Sequence, residues 1–194
     1  MFGVPVSHAA AVDPSPNDPY LPAVVDVLVG EVVARGLDEE GILRVPGDHE
    51  VMQRLQTLLE AAPYSAEVSL KPFDVASVAS VLKAWLRSVP APFVPDAAQQ
   101  QRLLEWVGAH PMEAWSAPVA REFDALLSQA LPPSNRAVLV RLCELVARIV
   151  DHSNRNMMDL NNVMICLTPS LKMDPRIFVR MVEDYRVSNS SPSP

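Results

Sequence analysis

Asp74-Val75-Ala76-Ser77-Val78-Ala79-Ser80-Val81-Leu82-Lys83-Ala84-Trp85-Leu86-Arg87-Ser88-Val89-Pro90-Ala91-Pro92 reads as a helix with both of its ends written in. Asp74 is a residue type that caps helix N-termini through its carboxylate. Val75, Val78, Val81, Leu82 and Trp85 recur at helical spacing, and the Val89-Pro90-Ala91-Pro92 break stops the helix. Lys83 and Arg87 stand four apart and share one face, while Leu82, Trp85, Leu86 and Val89 cover the other side. Two like charges at that spacing destabilise a helix slightly unless something anionic lies between or beyond them. Read alone, the pair also fits a solvated basic edge.

The same periodicity extends outward in both directions. Leu21 to Arg35 places Ala23, Val24, Val27, Leu28 and Val32 at helical spacing and closes on Gly36. Asp48 caps a segment carrying Val51, Leu55, Leu58 and Leu59. Further helices are expected over Ala97–Val107, Ala117–Ala130 and Arg136–Asp151, with shorter ones over Asn161–Leu167 and Pro175–Tyr185. Alternating strand patterns are scarce, and Asn-Gly or Asp-Gly turns are absent. The fold class is all-α, a single helical domain of about eight to nine helices. Residues 1–20 hold Pro5, Pro14, Pro16 and Pro19 and are expected to lie extended, without a regular helix. The domain is bounded at residues 1–187, and Ser188 to Pro194 reads as a disordered Ser/Pro-rich tail or a linker.

Composition narrows the function. A chain of 194 residues, 49% hydrophobic, suffices to bury a core. Its net charge of -7 argues against nucleic acid or an anionic membrane as the main partner, so any phosphate must meet a local positive cluster. The longest apolar stretch, Ala23 to Ala34, is broken by Asp26 and Glu31 and is too short to span a bilayer. Cys143 and Cys166 lack ligand spacing and read as reduced thiols, which suits a cytoplasmic chain. No metal site is expected, because His8, His49, His110 and His152 are scattered. Asp151-His152-Ser153 cannot form a triad from adjacent positions, and no GxxxxGK[ST] segment exists to bind nucleotide directly. An independent enzyme is disfavoured.

Two further segments carry chemistry. Gly41-Ile42-Leu43-Arg44-Val45-Pro46-Gly47 places one arginine on a loop between two glycines. A guanidinium is planar, forked and permanently charged, which suits phosphate oxygens that gain charge in a transition state. Alone, the segment is weak evidence and reads as a surface arginine. Asn156-Met157-Met158-Asp159-Leu160-Asn161-Asn162-Val163-Met164-Ile165-Cys166-Leu167-Thr168-Pro169 sets amides beside an apolar turn, and in isolation it reads as a cap or turn.

In order and spacing, these segments resemble the RhoGAP domain, the GTPase-activating module for Rho-family small GTPases. Phe2-Gly3-Val4-Pro5, Leu21-Pro22, Glu40 to Gly47, Leu82-Lys83 to Pro92, Leu131-Pro132-Pro133-Ser134-Asn135, and Asn156, Met158, Asn162 and Pro169 carry the likeness. The resemblance implies that Arg44 is an arginine finger and that Gly41 and Gly47 let its loop turn. It also implies that Lys83 engages the GTPase while Arg87 mainly braces the finger loop. Asn162 would contact the partner near its nucleotide, and Val163, Met164, Leu167 and Pro169 would line the groove for its switch regions. The implied partner is a GTP-bound Rho- or Rac-type GTPase that carries the GTP and Mg²⁺. The chain needs no cofactor of its own, and a monomer is expected, with membrane recruitment left to a partner or to domains outside this chain.

The departures are specific. Pro46 stands where the family usually has serine, which fixes one φ and pushes Val45 toward an extended conformation. Met157 replaces a common lysine, Ser88 and Ala91 replace common glutamates, and Thr168 replaces a common glycine. The competing expectation is a catalytically silent module that holds a GTPase or signalling partner as a scaffold.

Overall fold

The computed structural model describes residues 2–61 and 65–189. The first element, α1 (Val6–Val12), corrects the extended segment expected there. Prolines flank this helix without entering it. Pro5 stands at its N-cap, where a missing N–H costs nothing, and Pro14 lies beyond its end. Val6, Ala9 and Ala10, at helical spacing, supply the buried face. A two-stranded antiparallel ribbon follows, β1 (Pro14–Ser15) and β2 (Asp18–Pro22), pairing Pro14 with Pro22 and Ser15 with Asp18.

Nine further α-helices complete the described residues. They are α2 (Ala23–Arg35), α3 (His49–Ala61), α4 (Val75–Ser88), α5 (Ala97–Ala109), α6 (Ala117–Ala130), α7 (Pro133–Asp151), α8 (Ser153–Asn156), α9 (Leu160–Leu167) and α10 (Pro175–Asn189). The all-α class stands, with α1 and α8 added to the expected set. Ser188 and Asn189, assigned to the tail, close α10 instead, and the rest of that tail lies outside the described residues.

The core is built on α2, α4 and α7. α2 is apolar almost all round and packs against α4 on one side and α7 on the other, which is why Val24, Val25, Leu28, Val29 and Val32 are all buried. Asp26, its one first-turn acid, receives Arg141 Nε of α7 at 2.8 Å and the Ser15 hydroxyl at 2.5 Å. That arrangement satisfies a half-buried carboxylate and ties the ribbon to the core. α4 buries Val78, Leu82, Trp85 and Leu86, and α10 lies over α7 and α5. Packing α2 against both α4 and α7 fixes where α2 ends, and therefore where the Gly36–Asp48 loop begins.

Candidate functional site

The loop between α2 and α3 is anchored by burial and projected by two left-handed residues. Ile42 and Leu43 are buried among the core side chains, whereas Arg44, Val45 and Pro46 are exposed. Gly41 takes φ +72° and Leu43 takes φ +69°. For leucine that conformation costs about 1–2 kcal/mol, and the complete burial of its side chain helps to hold it there. The Gly41 carbonyl accepts from both Arg44 N–H and Val45 N–H at 2.8 Å, closing the turn beneath the arginine. A Cβ at Gly41 would meet Val45 Cγ2 at 2.9 Å and Arg44 Nη2 at 3.3 Å, so the guanidinium folds back over this glycine.

Two helices, α4 and α8, grip the loop, and α9 packs one peptide further on. From α4, Lys83 Nζ donates to the Leu43 carbonyl, Ser80 Oγ accepts from Gly47 N–H at 2.9 Å, and Ser77 Oγ accepts from Asp48 N–H at 3.1 Å. Gly47 is required by contact: a Cβ there would stand 2.3 Å from Ser77 Cα. From α8, the Asn156 carbonyl accepts from Gly41 N–H at 2.8 Å. The Asn156 side chain is fully buried. Its Nδ2 donates to the Leu37 carbonyl at 2.7 Å and the Ile149 carbonyl at 2.9 Å, and its Oδ1 accepts from Met158 N–H at 2.8 Å. One residue therefore joins the ends of α2 and α7 to the loop that carries Arg44. From the start of α9, Asn162 Nδ2 reaches the Met157 carbonyl at 3.4 Å, and Asp159 caps the helix by accepting from Asn162 N–H at 2.8 Å.

Electrostatics add a second hold at the base of the loop. Asp38 accepts from Arg155 Nη1 at 2.8 Å and pairs with His152 Nδ1 at 2.7 Å, and these partners, His152 first, hold its carboxyl below the usual carboxylate value. Lys83 is drawn below the usual lysine value, chiefly because its half-buried ammonium has lost water; the Arg87 charge adds to this and Cys166 opposes it.

The structure redistributes the expected site residues. Arg44, Gly41 and Gly47 lie on the α2–α3 loop, Lys83 bonds to it, and Asn162 bonds to the Met157 carbonyl, one peptide beyond the Asn156 carbonyl that holds Gly41. Arg87 points to the far end of α9, where its Nη1 donates to Ser170 Oγ at 3.3 Å beside the exposed Pro169. Of the two α4 cations, Lys83 is the one bonded to the loop that carries Arg44. Val163, Met164 and Leu167 were expected to line a partner groove and are instead core, at 0%, 7% and 0% exposure. They share the inward face of α9, and the exposed apolar residue of that helix is Ile165 at 64%. Val45 on the loop and Met157 just before α9 are exposed apolar residues as well. The sequence reading gave no role to Asn156, Ser77 or Ser80. Ser77 and Ser80 were marked only as polar residues inside an apolar helical segment, and Asn156, in the polar run Ser153–Asn156, only by its place in the family spacing.

Residues 22–176 match the RhoGAP domain, and the chain belongs to this family. It is 29% identical over 187 residues to the probable Rho-type GTPase-activating protein 2 of Schizosaccharomyces pombe, covering 95% of this chain and 14% of that protein. It is 30% identical over 177 residues to mouse Rho GTPase-activating protein 40, covering 88% and 25%. The chain thus spans a quarter or less of the length of these relatives. Its fold matches the crystal structure of human Rho GTPase activating protein 15 with a TM-score of 0.72, at 22% identity over 98% of this chain and 90% of that one. Among the described residues no helix is long and apolar enough to cross a membrane.

Proposed function

We propose that this chain stimulates GTP hydrolysis by a Rho-family small GTPase, with Arg44 entering the partner's nucleotide site. One observation carries the reading. The guanidinium is exposed on a loop whose backbone is held on either side of it, by Asn156 at Gly41 and by α4 at Leu43, Gly47 and Asp48. A backbone fixed before the partner arrives leaves only the Arg44 side chain to be ordered on docking, which favours electrostatic stabilisation of a transition state.

The mechanism follows from the partner's chemistry. Bound GTP and Mg²⁺ belong to the GTPase as substrate and metal, and this chain contributes no cofactor. Charge grows on the transferred phosphoryl group, and Arg44 donates to those oxygens while its docking steadies the GTPase glutamine that orients the attacking water. In the related Ras system a finger contributes about 10³–10⁵ in rate, roughly 4–7 kcal/mol of barrier. Lys83 braces the peptide before the finger, and Asn162 and Pro169 meet the partner. Val45, Met157 and Ile165 supply the apolar contact that Val163, Met164 and Leu167 do not. The activity belongs in the cytoplasm with the GTPase, and one copy of the chain suffices.

Single-turnover hydrolysis by a panel of Rho- and Rac-type GTPases, with wild type and Arg44→Ala side by side, tests the proposal. Strong stimulation that disappears in Arg44→Ala supports it and names the target. Binding without stimulation would replace it with the silent scaffold.

A further inference from the structure

Lys83 and Asn156 hold the entry to the finger loop, and the exit is held by two serines. Ser77 and Ser80 lie three apart on α4, one turn before Lys83, so the three side chains follow one another along the same side of the helix. Ser77 is completely buried and Ser80 is 6% exposed. Their hydroxyls accept from two consecutive backbone amides, Asp48 N–H at 3.1 Å and Gly47 N–H at 2.9 Å. Pro46, just before, has no N–H to offer. Arg44 and Val45 both spend theirs on the Gly41 carbonyl. The exposed span from Arg44 to Pro46 therefore contributes no amide to α4, and its C-terminal end is fixed through Gly47 and Asp48.

We propose that Ser77 and Ser80 are positioning residues for Arg44: they act on the reaction only by holding the exit of the finger loop against α4. The proposal rests on the reading of Arg44 as a finger. Neither serine touches the partner's phosphate. Removing a hydroxyl leaves a part-buried amide without its acceptor and loosens the loop where Gly47 already stands against the Ser77 backbone. Misplacement of a catalytic group by a fraction of an ångström to one ångström costs rate far more than binding, because the group contributes chiefly in the transition state.

The test compares Ser80→Ala and Ser77→Ala, each in the Arg44 and the Arg44→Ala backgrounds. Three quantities are measured: the saturating single-turnover rate, the affinity for GTPase loaded with a non-hydrolysable GTP analogue, and the thermal midpoint. Assays are run below every midpoint. Each serine variant is expected to lower the saturating rate roughly tenfold, to change affinity by less than about twofold, and to have no effect once Arg44 is alanine. A wild-type saturating rate in both serine variants, alongside a silent Arg44→Ala, overturns this inference and leaves the finger in place. A loss of affinity or of folded protein that accounts for the whole loss of rate assigns the serines to general stability and also overturns it. If wild type fails to stimulate, or Arg44→Ala matches wild type, the finger reading falls and the serine proposal with it. Ser77→Ala is an independent arm should Ser80→Ala not fold.

Discussion

Lys83 Nζ donates to the carbonyl oxygen of Leu43, so the α4 cation grips the peptide immediately before Arg44. Leu43 is in the left-handed region, and the grip secures the rotation that sends its side chain into the core and the next one outward. Lys83→Met keeps most of the stem and removes the donor. A charge-assisted bond of this kind is worth about 1.5–3 kcal/mol, so the saturating rate of stimulated hydrolysis is expected to fall by roughly tenfold or more. The lysine was expected from family likeness to act on affinity. A variant that lost affinity alone, at an unchanged saturating rate, would return it to that role.

Three glycines should respond to alanine in a fixed order. At Gly47 a Cβ meets the Ser77 backbone at 2.3 Å, and helix and loop must part, which is expected to cost about 2 kcal/mol or more. At Gly41 the positive φ and the 2.9 Å approach to Val45 Cγ2 give about 1–2 kcal/mol. Gly108 is exposed on α5 with nothing within 4 Å, so alanine there should stabilise by roughly 0.5–1 kcal/mol. Chemical denaturation of the three variants checks the ranking, and a Gly47→Ala protein as stable as wild type would show that the loop does not lie against α4.

Asn156→Ala removes two donated bonds and one accepted bond at a fully buried position. The freed groups are buried or partly buried, and a loss of about 2–4 kcal/mol is expected. Because the same residue holds Gly41 through its carbonyl, stimulation should weaken more than the stability loss alone explains. Hydrolysis assays on the fraction that remains folded separate the two effects.

How much of this was legible in the sequence depended on how far each signal had to travel. α6 was expected at Ala117–Ala130 and is found there, because an apolar stripe is a local pattern. α4 and its Asp74 cap were equally readable, since Ser77 N–H meets Asp74 Oδ1 within one turn. α1 was missed because the prolines were counted without regard to the gap between Pro5 and Pro14. Asn156 finds Leu37 far away in the chain, and no spacing rule records that partnership. Val163, Met164 and Leu167 were misassigned because a stripe facing a core and a stripe facing a partner look the same in one dimension. The family likeness gave the bracing of the loop to Arg87, whereas the side-chain ends put Lys83 on the Leu43 carbonyl and Arg87 on Ser170.

The two thiols should differ sharply in reactivity. Burial pushes the Cys143 thiol far up, with Asp184 adding to the effect, so its thiolate is suppressed near neutral pH. Cys166 is only half-buried. A disulfide reagent at mildly alkaline pH is expected to modify Cys166 in the native protein and Cys143 only after unfolding. Equal native rates would contradict the burial of Cys143.

Asp38 provides a test in acid. Its carboxyl is held below 3.8 by His152 first and then Arg155, so the folded state favours the ionised form. The sign follows: whatever this group contributes is complete above 3.8 and is lost as pH falls through its lower folded value. NMR titration of the Asp38 side-chain carbon should give a midpoint below 3.8, and a midpoint at or above that value would show that the contacts with His152 and Arg155 do not persist in solution.

The grips around Arg44 fall on main-chain atoms: the Leu43 carbonyl and the amides of Gly41, Gly47 and Asp48. Such a mount is indifferent to the identity of the side chains it presents. Arg44-Val45-Pro46 therefore behaves as a replaceable cartridge, whose two neighbours can be rewritten to suit a new partner surface without rebuilding the socket. A designer, or a lineage, can retune recognition at the tip while the reach of the arginine stays constant.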